Sequence, residues 1–256
     1  MPTTLNLPHD CSLDETAVVT ALMRSMAYRL LGLAFLYPDE EMTDDFGMGS
    51  YIEDLHGVSA HLFNEPDPAV QEALETLESL TRDVSLDTLQ TEYRRVFGHT
   101  ISHEYPPYET QYGGPHVFQQ TQELGDIAGF YGAFGLEMSD EQKERLDHLS
   151  VELEFMGFLA YKEAYALKHH GMDKADQCHQ AQRVFLRDHL GRWAPVFLTR
   201  LKEKTESDLY TALATWANAF LASENQRLQV EPTAPREIDL RLISPENIGG
   251  IPCGAE

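Results

Sequence analysis

An aromatic, proline-containing stretch offers the first side chains that could do chemistry. It runs from Glu104 to Tyr112 and holds three tyrosines, two prolines and two glutamates in nine residues. Tyrosine rings combine stacking area with hydroxyl groups, and surfaces of this type bind extended peptides. The stretch therefore predicts a peptide-binding platform to which Glu104 and Glu109 add negative charge. The alternative is a loop whose tyrosines only anchor it to the core.

A second group combines carboxylates with a histidine. Asp147-His148 is followed by Glu152, in a segment whose apolar residues fall on nearly all sides of a helical wheel. Such a helix is central, and an unpaired charge in it is costly. His148 and Glu152 lie one helical turn apart and allow three interpretations. They could be half of a metal site, polar groups in a groove that binds a partner, or a buried pair whose hydrogen bonds are satisfied within the core. A metal site needs further ligands, and this helix has no Glu-x-x-His spacing that could supply them.

Three histidines in the segment from Gly98 to Pro115 and just after it form the third group. His99, His103 and His116 could coordinate a metal or sense pH, or they could be solvated loop side chains. A helical metal-binding protein or metalloenzyme built on these histidines and on His148 and Glu152 is therefore one alternative function.

The common catalytic and cofactor motifs are missing from the chain. It contains no Gly-rich phosphate loop, dinucleotide fingerprint, His-Glu-x-x-His pair or Gly-x-Ser-x-Gly elbow. Cys11, Cys178 and Cys253 are isolated and fit neither a zinc knuckle nor a redox pair. This cysteine usage favours a reducing compartment, most simply the cytoplasm. The first ten residues lack the apolar core of a secretory signal, and Arg29 interrupts the longest apolar stretch.

Net charge excludes several partners. The 256 residues carry 42 acidic and 19 basic side chains, a formal charge of −23. Nucleic acid and anionic membranes repel such a surface. Residues 1–142 contain 25 acids and 5 arginines, a net charge of −20, whereas the remainder is close to neutral at −3. The acidic half therefore either attracts a neutral or basic partner or serves solubility.

Helical periodicity and capping residues predict the elements that position these groups. The fold class is all-α, a single-domain bundle of roughly ten helices over residues 12–227. A long loop from Gly98 to Pro115 interrupts the helices. Residues 228–256 are rich in Pro and Gly and predict a tail that is disordered or wraps the surface. The predicted helices span 12–37, 50–63, 67–80, 86–97, 117–134, 140–170, 173–190, 192–204 and 208–225. Ser85 and Ser207 are predicted N-caps, and Ser139 with Gln142 predicts a capping box for the helix from Asp140.

Three motifs in order resemble the TorD/DmsD/NarJ-type family of redox-enzyme maturation chaperones. The first joins Tyr93-x-x-Val96-Phe97 to Pro107-Tyr108-Glu109-Thr110-x-Tyr112, and the second runs from Asp147-His148 to Met156. The third covers Phe185-Leu186-x-Asp188-His189-Leu190 and Trp193-x-Pro195-x-Phe197.

The resemblance implies an all-helical cytoplasmic chaperone without catalytic activity or cofactor. Its partners would be the catalytic subunit of a molybdopterin-containing oxidoreductase and that subunit's twin-arginine signal peptide. The chaperone would assist cofactor insertion and prevent premature export. Guanine-nucleotide binding has been suggested for some members, and a permanent structural subunit of an oxidoreductase complex is a further alternative. The peptide-binding residues would be Tyr93, Phe97, Glu104, Pro107, Tyr108, Glu109, Tyr112, Asp147, His148 and Glu152.

Overall fold

The protein is all-helical over the part of the chain that the computed structural model describes, which confirms the predicted fold class. That part comprises residues 11–40, 50–63, 65, 67–98, 104–113, 117–138 and 144–233. Within it the chain forms nine α-helices, one 3-10 turn and no β-strand. The helices are α1 (Cys11–Ala34), α2 (Ser50–Leu62), α3 (Pro68–Thr81), α4 (Leu86–Phe97), α5 (Val117–Ala133), α6 (Leu149–His169), α7 (Met172–Asp188), α8 (Leu190–Lys204) and α9 (Asp208–Leu228), and the 3-10 turn spans Glu109–Gln111.

Capping residues define three helix ends that the sequence predicts. The hydroxyl of Ser85 accepts from the Thr88 amide at 3.2 Å, and that of Ser207 accepts from the Tyr210 amide at 3.2 Å. Each satisfies a donor that the first turn leaves without a helical partner. Gly171 follows α6 with a φ of 83°, a conformation that favours glycine.

The beginning of α6 is the main correction to the predicted helices. The sequence predicts a helix from Asp140, but residues 144–148 are not helical and α6 begins at Leu149. The reason is a contact with the aromatic loop: the Asp147 carbonyl accepts from the Glu109 amide, and His148 pairs with Tyr108 in an isolated antiparallel bridge. These hydrogen bonds replace the helical ones, so Asp147 and His148 precede the helix. The proposed cap at 139–142 lies outside the described residues.

Helices α1 and α6 form an antiparallel pair at the centre of the bundle. Gly32 of α1 lies beside Ser150 of α6, and Gly157 of α6 lies beside Tyr28 of α1. The two helices therefore run in opposite directions. A Cβ on Gly157 would meet the Tyr28 Cβ at 3.2 Å and the Ser25 carbonyl at 3.3 Å. The absence of a side chain at Gly157 therefore permits the close approach of the two helices.

A buried ionic network crosses four helices of the bundle. Arg24 of α1, only 2% exposed, contacts Glu224 of α9 at 2.7 Å and Glu163 of α6 at 2.8 Å. Gln182 of α7 also accepts from Arg24 and donates to Glu163 at 2.8 Å. Tyr28 donates to Glu224 at 3.0 Å. Because every charge has a partner, the network fixes the relative positions of α1, α6, α7 and α9.

The apolar character of α1 has a structural explanation. Among the described helices, residues 15–34 alone are long and apolar enough to cross a membrane by length and composition. A core helix of a globular protein passes the same test, and Ala27, Leu31 and Ala34 of α1 are buried against other helices.

The boundary between helical domain and tail remains a prediction. Helix α9 extends to Leu228, and Val230 is buried beyond it. Residues 234–256 lie outside the described residues.

Candidate functional site

The aromatic loop is attached to the beginning of α6 through its backbone. The Glu109 amide donates to the Asp147 carbonyl at 2.9 Å, and the Leu149 amide donates to the Pro107 carbonyl at 3.0 Å. These two bonds flank the bridge between Tyr108 and His148. The structure therefore brings together the loop and the Asp-His segment, which the sequence places far apart.

The side chain of Asp147 reinforces this attachment. It is fully buried, and its Oδ2 accepts from the Thr110 amide at 3.2 Å, the Thr110 hydroxyl at 2.8 Å and Arg145 at 2.9 Å. Hydrogen bonds to a charged group of this kind are stronger than neutral ones. Asp147 thus holds the 3-10 turn that begins at Glu109, rather than facing solvent as a binding group.

His148 is the N-cap of α6. Its Nδ1 accepts from the Ser150 amide at 3.2 Å, and its ring packs edge-on against Tyr108 with 5.1 Å between centroids. Burial, and next the positive charge of Arg145, lowers the pKa of His148 to about 4. The imidazole is therefore neutral at pH 7, which the acceptor role of Nδ1 requires.

Glu109 and Glu152 form a buried acidic pair on the inner side of the loop. Glu109 is 4% exposed and Glu152 is fully buried. Trp193 of α8 donates to Glu152 at 3.0 Å, and His189 Nδ1 lies 3.1 Å from Glu109. Burial, and next the charge of Glu109, raises the pKa of Glu152 well above its usual range. His148 and Glu152 are thus both buried, as the core alternative predicts, but each has partners other than its neighbour one turn away.

An exposed aromatic and acidic surface lies where the loop meets α1 and α4. Tyr37, which is 43% exposed, packs edge-on against Tyr93 at 5.4 Å between centroids, and Tyr93 contacts Phe97 at 4.9 Å. The Tyr108 hydroxyl donates to Glu144 at 3.2 Å. Burial, and next the charge of Glu144, raises the pKa of both Tyr93 and Tyr108, the latter to about 12. Glu144 therefore lies close to both phenols, and we call these five residues the aromatic–acidic surface.

An arginine already occupies part of this surface. The guanidinium carbon of Arg145 lies 4.9 Å from the Tyr108 ring centroid, in a cation–π contact. The Arg145 side chain is 48% exposed. The surface therefore has the ring geometry and the neighbouring carboxylate that a guanidinium group uses.

An apolar groove lies between α1 and α6. One part, of about 360 Å³, is lined by residues that include Leu33, Leu36, Phe158 and Tyr161, with Gly157 also among them. Leu36 directly precedes Tyr37 of the aromatic–acidic surface. The charged side chains of this part are Arg29 and Glu154.

A second part of the groove, of about 250 Å³, extends toward the end of α5. It shares Glu154 and Phe158 with the first part and adds Leu136, Met138 and Phe155. We call the two parts together the α1–α6 groove. Its lining by apolar and aromatic side chains is typical of surfaces that accept an amphipathic or apolar helix.

The predicted site residues divide by exposure. Glu104 is exposed, and Tyr93, Phe97 and Tyr108 are half-buried. Tyr105 and Tyr112 are 1% and 2% exposed, so the loop does not offer three tyrosines to a peptide; two of them anchor it to the core. The predicted residues that are buried and support the loop are Pro107, Glu109, Tyr112, Asp147, His148 and Glu152.

Sequence reasoning missed Tyr37, Glu144 and the α1–α6 groove. The sequence of α1 does contain a signal for the groove, because the helix is apolar on two faces. Ala27 and Leu31 lie on the buried face. Leu22, Met26 and Leu33 follow helical spacing on another face. A helix that is apolar on two faces has more apolar surface than one core contact requires.

The described residues contain no metal site. No three of their His, Cys, Asp and Glu side chains come together in a geometry that could hold an ion. His99, His103 and His116 lie outside the described residues. The rings of His169 and His170 pack against Tyr165.

Comparison with known proteins gives the class of this chain. Residues 64–199 match the family model described as nitrate reductase delta subunit, and the chain belongs to this family. The predicted membership of the TorD/DmsD/NarJ-type maturation chaperones is confirmed by this match and by the named relatives.

Several relatives carry chaperone names. The perchlorate reductase assembly chaperone protein of Dechloromonas aromatica is 29% identical over 228 residues, covering 86% of this chain and 98% of the relative. Chaperone protein TorD of Photobacterium profundum is 28% identical over 184 residues, covering 71% of this chain and 82% of the relative. The selenate reductase assembly chaperone protein of Thauera selenatis is 30% identical over 153 residues, covering 58% of this chain and 75% of the relative.

A solved structure is also similar. The crystal structure of a putative redox enzyme maturation protein from Archaeoglobus fulgidus covers 87% of this chain and 98% of its own, at 22% identity and a TM-score of 0.45. The curated relatives are named as chaperones and not as catalysts, so the prediction of a protein without catalytic activity is confirmed.

Proposed function

We propose that this protein is a cytoplasmic chaperone that binds the apo form of a molybdopterin-containing oxidoreductase and its twin-arginine signal peptide. It assists cofactor insertion and prevents premature export of the client. The names of the relatives support an assembly role toward enzymes of this class. The observation that carries the peptide part is that Leu36, which lines the α1–α6 groove, directly precedes Tyr37 of the aromatic–acidic surface.

The two surfaces match the two parts of a twin-arginine signal peptide. The adjacent arginines need carboxylate and aromatic partners, which Glu144, Tyr93 and Tyr108 offer. The apolar part that follows needs an apolar groove, which Leu33, Phe158 and other side chains line. The net charge of −20 on residues 1–142 would favour approach of a basic peptide.

A binding experiment with matched peptides tests the proposal. One peptide has two adjacent arginines before an apolar stretch of about four helical turns, and the other has lysines in their place. We expect the arginine peptide to bind more tightly, because lysine cannot stack on tyrosine or bind a carboxylate in bidentate geometry. Calorimetry at about 50 and 500 mM salt should show weaker binding at high salt.

A variant pair connects binding to the surface. Glu144→Gln should weaken binding of the arginine peptide about tenfold, because it removes a charged acceptor. Glu72→Gln, at an exposed position of α3, is the matched control and should have no effect. Equal affinity for both peptides, together with no effect of Glu144→Gln, would reject the signal-peptide part.

Two results would favour the alternative functions. Stoichiometric metal in protein purified without an affinity tag would indicate the metal-binding protein. An equimolar complex with the mature, cofactor-loaded oxidoreductase would indicate a permanent subunit instead of a chaperone that leaves its client.

A further inference from the structure

Two carboxyl groups meet in the interior without a strong cation beside them. Glu109 in the loop is 4% exposed and Glu152 on α6 is fully buried. Among the described residues, neither forms an ion pair with Lys or Arg; the nearest base is His189, whose Nδ1 lies 3.1 and 3.2 Å from the two Glu109 oxygens. Two ionised carboxylates in contact would repel strongly in such a site.

The surroundings of Glu152 favour its acid form. Trp193 donates to Oε2 of Glu152, and no donor reaches Oε1 of Glu152 among the described groups. Among the charged groups, Glu109 acts most strongly on Glu152, and a carboxylate can only accept. In its acid form Glu152 no longer repels Glu109, and Oε1 carries a proton that it can donate to that carboxylate.

We propose that this shared proton positions the aromatic loop: protonated Glu152 holds Glu109, and with it Tyr108, against α6 and α8. Glu109 begins the 3-10 turn, and Tyr108, one residue earlier, lies on the aromatic–acidic surface. Glu109, Glu152, His189 and Trp193 are therefore positioning residues. Their effect on peptide binding rests on the proposed function, whereas their effect on the loop does not.

The groups around the pair reinforce the need for a proton. Glu123 of α5 and Asp147 before α6 add negative charge, and Asp147 Oδ1 has no partner among the described groups. Burial, and next the charges of Glu152, Glu109 and Glu154, raises the pKa of the Tyr131 hydroxyl on α5. The positive groups near the cluster are Arg145, His189 and Arg192.

A cleft gives this cluster a route to solvent. The cleft, of about 800 Å³, is lined by residues that include Glu109, Glu123 and His189. Protons can therefore exchange between the cluster and water without unfolding of the bundle. Loss of the proton at higher pH places two anions in contact, and we expect the loop to detach from α6.

We call this proton-dependent contact between the aromatic loop and α6 the latch. Hydrogen exchange of the full-length protein without peptide tests it. The amides of Glu109 and Leu149 report on docking, because each donates to the other segment. Their protection, corrected for the intrinsic exchange rate, should fall by up to about tenfold per pH unit as the pH rises from the usual carboxyl pKa to the raised pKa of docked Glu152, and it should level off above that pKa. Protection that does not change from pH 6 to pH 9 would overturn the proposal.

Two variants distinguish the effect of the Glu152 proton on loop docking from the effect of a side chain of similar size. Glu152→Gln keeps an acceptor for Trp193 and an N–H donor for Glu109, but it has no proton to lose; we expect protection that is independent of pH. Trp193→Phe removes the donor that stabilises the Glu152 anion, so the loss of protection should move to higher pH. Wild-type pH dependence in Glu152→Gln would contradict the proposal.

Peptide affinity measured on the same proteins distinguishes the two proposals. If the loop behaves as expected but no twin-arginine peptide binds, the latch stands and the proposed function fails. If peptide binds and the Glu109 and Leu149 amides show no pH-dependent protection, the latch fails and the proposed function stands.

Discussion

The ring of Tyr108 packs edge-on against the ring of His148, and the backbones of the two residues form an antiparallel bridge. This contact joins the aromatic loop to the first turn of α6. One side of the junction faces the aromatic–acidic surface, and the other side contains the buried pair Glu109 and Glu152. Most of the predicted site residues therefore lie beneath this surface, and Tyr93, Phe97 and Tyr108 lie on it.

His148 should make the stability of the protein depend on pH below neutrality. Its pKa is lowered to about 4 in the folded protein, against about 6.5 in the unfolded chain, so the unfolded state binds more protons between these values. The stabilisation is complete above pH 6.5 and is lost as the pH falls toward 4. Urea unfolding at pH 7 and pH 5 should show this decrease.

An asparagine at position 148 is the informative variant. Asparagine is a good N-cap without a titratable group, so His148→Asn should retain most of the stability at pH 7 and remove this part of the pH dependence. His148→Ala should lose about 1 kcal/mol of unfolding free energy at pH 7. An unchanged pH profile in His148→Asn would show that another group is responsible.

Asp147 should hold the loop through charged hydrogen bonds. Asp147→Ala leaves the Thr110 amide and hydroxyl without their acceptor, and we expect a loss of about 2–4 kcal/mol of unfolding free energy. Urea unfolding measures this loss. Asp176→Ala, at an exposed position on α7, is the control and should change stability by less than about 0.5 kcal/mol. Equal effects of the two variants would contradict the assigned role.

Arg24 should be among the most sensitive positions for stability. Arg24→Met leaves the buried carboxylate of Glu224 without its main partner, and removal of one member of a buried ion pair costs about 3–5 kcal/mol. Thermal and urea unfolding should show the loss. A combined Arg24→Met and Glu224→Gln variant should recover part of it, because the uncompensated charge is gone; no recovery would indicate that packing dominates.

Tyr161 should contribute to the α1–α6 groove without contributing to the core. The residue is 52% exposed and lines the groove, so Tyr161→Ala should leave the free energy of unfolding almost unchanged. Binding of an arginine-containing apolar peptide should weaken about tenfold through loss of aromatic contact area. Met172→Ala, 59% exposed but not among the residues that line the groove, is the matched control. Equal peptide affinity in both variants would exclude Tyr161 from the binding surface.

Periodicity and capping residues predicted the helices well, because both are local properties. Eight of the predicted helices lie within three residues of the observed ones at both ends, and Ser85 and Ser207 cap as expected. The beginning of α6 could not be predicted in this way. Its position depends on hydrogen bonds to Pro107 and Glu109, and no periodic pattern encodes a contact between distant segments.

By itself, the sequence determined the helical class, the acidic charge, the family motifs and the residue types of a peptide-binding site. Only the tertiary structure decided which side chains face solvent. Tyr105 and Tyr112 point inward although the sequence makes them equivalent to Tyr108. Glu152 accepts from Trp193 and lies under the charge of Glu109 because the loop and α8 pack against α6. Burial of a loop residue depends on what packs over it, and that information lies in other segments of the chain.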